Sequence, residues 1–147
     1  MIYYIYRKER GLPLKGVKMA LTNAITQEQV KDFYIEVLAQ SVNEYNNTKF
    51  LCQQFPAKQE SYIKAQLLDD VIDTIREDLI IADSGCGNIY ATDEATLAAF
   101  TLDLYDAYTF MLYNALYARN EEYRNVCKVK AEAYKTVIDA FNKIFDK

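Results

Sequence analysis

Glycine and proline interrupt this chain at only three places: Gly11, Pro13 and Gly16 near the start, Pro56 in the middle, and Gly85 with Gly87 beyond it. These are the residues that end helices and turn chains. Between them run long stretches whose apolar residues recur at steps of three and four, the period of an amphipathic helix. Helices of this kind must bury their stripes against one another, so the spacing of breakers points to a helical bundle. A chain of 147 residues is one domain in size and can build a core without disulfides or metals.

The stretches resolve into four helices. The first starts at Thr26, which forms a capping box with Gln29, and Glu28 suits the helix dipole there. Val30, Phe33, Val37, Val42 and Tyr45 follow its stripe, with Tyr34, Leu38 and Ser41 beside them. Pro56 opens the second helix, expected to run to about Ala82 with Tyr62, Ala65, Leu68, Ile72, Ile75 and Leu79 inward. The segment Asp83-Ser-Gly-Cys-Gly-Asn88 ends it, with Gly85 or Gly87 as a left-handed cap. Thr92 is the expected cap of the third helix, whose stripe is Leu97, Phe100, Leu104, Met111 and Ala115. The fourth begins near Asn120; Tyr123, Val126 or Cys127, Ala133 or Tyr134, Val137, Phe141 and Ile144 line it. The fold expected is all-α, an up-and-down bundle of about four long helices spanning 25–147.

Residues 1–24 form a separate arm. Ile2, Tyr3, Tyr4 and Tyr6 make its tip β-prone, and Arg7, Lys8 and Arg10 make it basic. Up to residue 18 it holds five cations against Glu9, a net charge of +4; since the whole chain carries −4, the remainder carries −8. An acidic body repels nucleic acid and anionic membrane, whereas a basic arm suits either of these or the acidic body of another copy. The run Lys15-Gly-Val-Lys-Met19 is also what a purine-rich ribosome-binding stretch before a start codon encodes, which makes Met19 a second candidate start. No stretch is long and apolar enough to read as a membrane span, which takes about 20 residues.

The chain contains no histidine, which removes much chemistry. Ser-His and Cys-His nucleophile pairs, imidazole bases and Cys/His zinc sites are all excluded. Cys52, Cys86 and Cys127 lie far apart, without a CxxC pair. An odd number of cysteines and no signal peptide point to free thiols in a reducing compartment. Cys86 falls in the glycine-flanked turn, where neither GxGxxG nor GxxxxGK is spelled, so the segment reads as a connection between helices.

One string suggests a reaction. In Leu67-Leu-Asp-Asp-Val-Ile-Asp73 the carboxylates of Asp69 and Asp73 stand four apart on one helix face, with Asp70 adjacent. Such a set can hold Mg²⁺ against a diphosphate. The string resembles the aspartate-rich motif of isoprenyl diphosphate synthases, and that resemblance implies a Mg²⁺-dependent enzyme acting on a diphosphate. A second aspartate-rich motif, which those enzymes carry, is not found. The ExxE and ExxD spacing of the all-α nucleotide pyrophosphatases is likewise absent, and Glu121 and Glu122 fit better as acids at a helix start. The plainer reading is a solvated acidic face beside a Leu/Ile stripe.

Aromatic residues point elsewhere. Thirteen tyrosines and seven phenylalanines are many, and tyrosine serves wet interfaces as well as cores. On the third helix Phe110, Tyr113 and Tyr117 lie opposite the main stripe, with Asp103 and Asp106. That helix is therefore either central in the bundle or carries a partner-binding patch. The candidate partner-binding residues are Ile2, Tyr3, Tyr4, Tyr6, Arg7, Lys8, Arg10, Phe110, Tyr113 and Tyr117. No catalytic, cofactor or metal set is assigned. The expected function is non-enzymatic assembly through protein partners, homo-oligomeric or larger, with no direct nucleic-acid binding by the acidic body and no membrane. A small helical bundle with an extended arm is similar in architecture to the head–tail connector and adaptor proteins of tailed phages, which implies a virion or host-cytoplasm location. The alternative is a small acidic regulator that binds a basic host protein.

Overall fold

The computed structural model describes residues 25–50, 55–83, 85 and 87–146. The elements are α1 (Gln27–Phe50), α2 (Phe55–Leu79), β1 (Ile80–Asp83), β2 (Gly87–Tyr90), α3 (Glu94–Tyr117) and α4 (Glu121–Phe145). The four helices run up and down, as expected. The arm at 1–24, with its seven candidate binding residues and the β-prone segment 2–6, lies outside the described residues.

Helix starts are chemically well defined. The Thr26 hydroxyl accepts from the Gln29 amide N–H at 3.1 Å while Gln29 Oε1 accepts from the Thr26 amide at 2.9 Å. This is a reciprocal capping box, and it satisfies two otherwise orphaned donors. Asn120 Oδ1 accepts from the Tyr123 amide at 2.9 Å and caps α4. The cap of α3 falls one residue later than expected: Asp93, not Thr92, accepts from the Thr96 amide at 2.7 Å. A carboxylate is the stronger acceptor, and the helix dipole favours its charge. These hydrogen bonds hold the Asp93 carboxyl below its ordinary pKa. Its contribution is therefore complete above the unfolded carboxyl value and lost as pH falls through the lower folded value. Asp93→Ala should cost about 1 kcal/mol at neutral pH, and the gap from the parent should shrink in acid-titrated thermal melts.

The second helix stops short of the expected Ala82. It ends at Leu79, and the next residues pair as an antiparallel hairpin, Ile80 with Tyr90, Ile81 with Ile89, Ala82 with Asn88 and Asp83 with Gly87. Ile80, Ile81, Ile89 and Tyr90 are β-branched or aromatic and favour strand geometry. Gly87 has φ +87°, as one of the two candidate glycines should, but it sits in a hairpin turn and not at a helix end. The hairpin is anchored through Tyr90, whose ring lies 6.1 Å from that of Tyr34 on α1. The Tyr34 hydroxyl in turn accepts from Arg76 Nε at 3.1 Å and Nη2 at 2.9 Å.

The tight antiparallel pairs are α1–α2 and α3–α4, and α4 also packs on α2 and α1. The central helix is thus α4, not α3. Helix α3 sits at a corner, far from α1 except where Phe33 meets Phe100. Phe33 has no exposed surface and makes edge-on contacts with Phe100, Phe141 and Phe145 at 5.8, 5.5 and 5.8 Å. Around it pack Leu68, Ile75, Leu79, Leu97 and Val137. Gln29 Nε2 donates to the Ile144 carbonyl at 3.2 Å and joins the start of α1 to the end of α4.

The expected stripe of α1 holds only through Val37. Ser41 takes the inward position one turn later, while Leu38, Val42 and Tyr45 are exposed. On α2, Ser61 is inward and Tyr62 is outward. The departure on α1 follows from one interaction, described next.

Candidate functional site

The aspartate-rich string does not converge. Asp69 Oδ1 accepts from the Ser41 hydroxyl and Oδ2 from the Tyr45 hydroxyl, both at 2.7 Å. Its two oxygens are thus spent on holding α1 to α2. Asp73 lies 3.8 Å from Arg76 on the solvent side. Asp70 belongs to the opposite flank of α2, facing α3. Among the described residues no group of three or more His, Cys, Asp or Glu is placed to hold a metal ion. Glu121 and Glu122 are first-turn acids of α4. Cys127 is a free, fully buried thiol; Cys52 and Cys86 lie outside the described residues. Its interaction with that thiol, first of all, pushes the Tyr123 phenol above its ordinary pKa.

The aromatic residues singled out on the third helix do come together. Phe110, Tyr113 and Tyr117 are 57%, 61% and 67% exposed, and the rings of Tyr113 and Tyr117 lie 5.0 Å apart. Leu112 and Leu116 extend the same outer surface, with Leu116 71% exposed. The reason is positional. Helix α3 is a corner helix, so only the side toward α4 and α2 is covered, and from Ala107 to Ala118 the uncovered side has no charged residue. At about 150–250 Å² per aromatic side chain, with more than half of each exposed, the patch amounts to several hundred Å², the size that marks interaction sites. The two leucines are missed by a search for aromatic spacing; the signal that finds them is the absence of any charge over those three turns.

A second surface is a groove between α2 and α3 with a volume of about 150 Å³. Its floor is apolar, formed by Val71, Phe100 and Leu104, and its walls carry Asp70, Asp78 and Asp103. Among the described residues no lysine or arginine lines it. Desolvation, then the charges of Glu77 and Asp103, push the Asp78 carboxyl above its ordinary pKa. Tyr134 closes one end, its phenol raised by burial and then by the charge of Asp70. The spacing Asp70–Thr74–Asp78 on α2 is visible in the sequence, but the approach of Asp103 comes only from the α2–α3 packing.

No helix among the described residues is long and apolar enough to cross a membrane. No protein-family model, curated protein or solved structure matches the chain.

Proposed function

We propose that this chain is a non-enzymatic assembly subunit, which joins copies of itself or other proteins through the aromatic face of α3. The observation that carries this reading is the uncharged surface of Phe110, Tyr113, Leu116 and Tyr117, left open on a corner helix. Tyrosine and leucine on a rigid helix give large contact area with little side-chain ordering. Its specific form, suggested by the helical body with a basic arm, is a connector or adaptor subunit of a tailed-phage particle, resident in the virion or host cytoplasm. Protein surfaces are the partners this reading requires, and the acidic body is a poor match for nucleic acid or anionic lipid.

Sedimentation of the full chain tests it. The parent protein should self-associate across the micromolar range, and Tyr113→Ser with Leu116→Ser should weaken that association roughly tenfold or more. Circular dichroism should remain unchanged, because both side chains are exposed. A parent protein that stays monomeric at every concentration would overturn self-assembly.

A second reading is favoured by the acid-walled groove: a small acidic regulator that captures one basic protein. Stoichiometry separates the two. A regulator gives a monomer or dimer with a tight basic partner, whereas an assembly subunit gives rings or larger oligomers.

A further inference from the structure

We propose that the aromatic face of α3 pairs with the same face of a second copy, helix against helix, antiparallel about a two-fold axis at Tyr113. The inference rests on the assembly reading and names the partner and the geometry of that surface.

Charge selects the occupant. The chain carries a net charge of −4, so contact between two copies is opposed wherever acids meet acids. Residues 107–118 include no Asp, Glu, Lys or Arg. This face can therefore meet itself without placing like charges together. A charged partner finds nothing here to recognise it. The basic arm, at +4, is drawn to the acids of the body and gains nothing in charge from this surface. Tyrosine adds self-complementarity in hydrogen bonding, because a phenol both donates and accepts.

Area supports the same partner. Phe110, Leu112, Tyr113, Leu116 and Tyr117 are all exposed, and together they offer several hundred Å² per copy. Two such faces pressed together bury on the order of 1,000 Å², the size at which a specific interface begins. Using one patch twice about a two-fold axis is also the commonest way for a chain to pair with itself.

The order of charges along α3 sets the direction. Its acids, Glu94, Asp103 and Asp106, all precede the face, and Arg119 follows it. Tyr113 lies midway between Phe110 and Leu116, with its ring 5.0 Å from that of Tyr117. Antiparallel crossing at Tyr113 sets the two Asp106 residues about 20 Å apart along the helices, well beyond the screening length of about 8 Å at physiological salt. Arg119 of each copy then stands at the acidic end of the other. Parallel crossing would instead align the acids side by side. The contact closes on itself, so the pair is the unit, and any larger particle holds an even number of chains.

Opposite charges placed on the axis test the proposal in the full chain. A residue on a two-fold axis meets its own copy, so Tyr113→Lys opposes lysine to lysine and Tyr113→Glu opposes glutamate to glutamate. Tyr113 is 61% exposed, so neither charge is buried in the single chain. By light scattering, each variant alone should associate roughly tenfold or more weakly than the parent. An equimolar mixture should regain the parent's mass, because lysine then meets glutamate. If both variants are impaired and the mixture stays impaired, the face meets a different surface; the two-fold pair is overturned and the assembly reading stands. If one variant associates as strongly as the parent, the pair is again overturned. If both do, the aromatic face is not the junction, and the assembly reading through it falls as well. A parent that stays monomeric removes the pair and self-assembly together.

Discussion

Phe33→Ala is expected to remove about 3–5 kcal/mol of folding stability, the largest effect of any single substitution considered. Phe33 has no exposed surface and, among the described residues, is the one whose ring meets both α3, at Phe100, and α4, at Phe141 and Phe145. Truncation removes the transfer energy of a whole ring and leaves a cavity on the bundle axis. It also deletes three edge-on ring contacts, each worth about 0.5–1.5 kcal/mol beyond area. Since domains of this size are stable by only about 5–15 kcal/mol, the variant should be partly unfolded at moderate urea. Phe33→Leu keeps most of the volume and should lose less than half as much. Urea titration followed by circular dichroism checks both; equal losses for the two variants would mean that the ring contacts, which leucine cannot replace, account for the whole effect and the lost volume for none of it.

Asp69→Ala comes second, at about 1–3 kcal/mol. It strips the acceptor from the Ser41 hydroxyl, which is only 2% exposed, and from the Tyr45 hydroxyl. A buried donor without a partner costs its desolvation, and hydrogen bonds to a carboxylate are the stronger kind. Asp69→Asn retains one acceptor oxygen and should cost less. The tyrosine provides an independent readout. Its pKa is raised, first by the hydrogen bond to Asp69 and then by desolvation and by the Asp69 charge. The clamp's contribution is thus complete below the ordinary tyrosine value and lost as pH rises through the higher folded value. Ultraviolet titration should find Tyr45 among the late-ionising tyrosines of the parent, beside Tyr123 and Tyr134, and one late tyrosine fewer in Asp69→Ala. The same residue separates the clamp from the diphosphate-enzyme reading. Added Mg²⁺ should leave the melting temperature of the parent unchanged; a rise abolished by Asp69→Asn would favour a metal site instead.

Particular residues show where sequence reading succeeds. The box of Thr26 with Gln29 and the cap at Asn120 are local devices, made by groups three residues apart, and both stand where the sequence puts them. Thr92 and Asp93 illustrate the limit of such reading. Both are good capping residues, and the choice between them turns on one residue of helix phase. The sequence pattern carries α2 on to Ala82 because Ile80 and Ile81 suit a helical stripe and a strand equally well. What tips them is pairing with Ile89 and Tyr90, and the docking of Tyr90 on Tyr34, contacts the linear pattern does not contain.

Val42 and Tyr45 were expected inside on periodicity, yet they are exposed while Ser41 is inward. A serine can occupy an inward position only if its hydroxyl is paired, and Asp69 on the neighbouring helix pairs it. The same contact gives the aspartate-rich string a structural role that its sequence does not disclose.

By itself the sequence determined the helical class, the number of helices, two of the three well-defined helix starts and the charge division between arm and body. All of these arise from near neighbours along the chain or from simple counts. Only the tertiary structure decided that α4 is central and α3 a corner helix, that Phe110, Tyr113 and Tyr117 face outward, and that Asp103 stands over a groove with Asp70 and Asp78. An amphipathic period states that a helix has a face to bury. It does not state how many neighbours the helix will have, and that number decides which of its remaining residues water can reach.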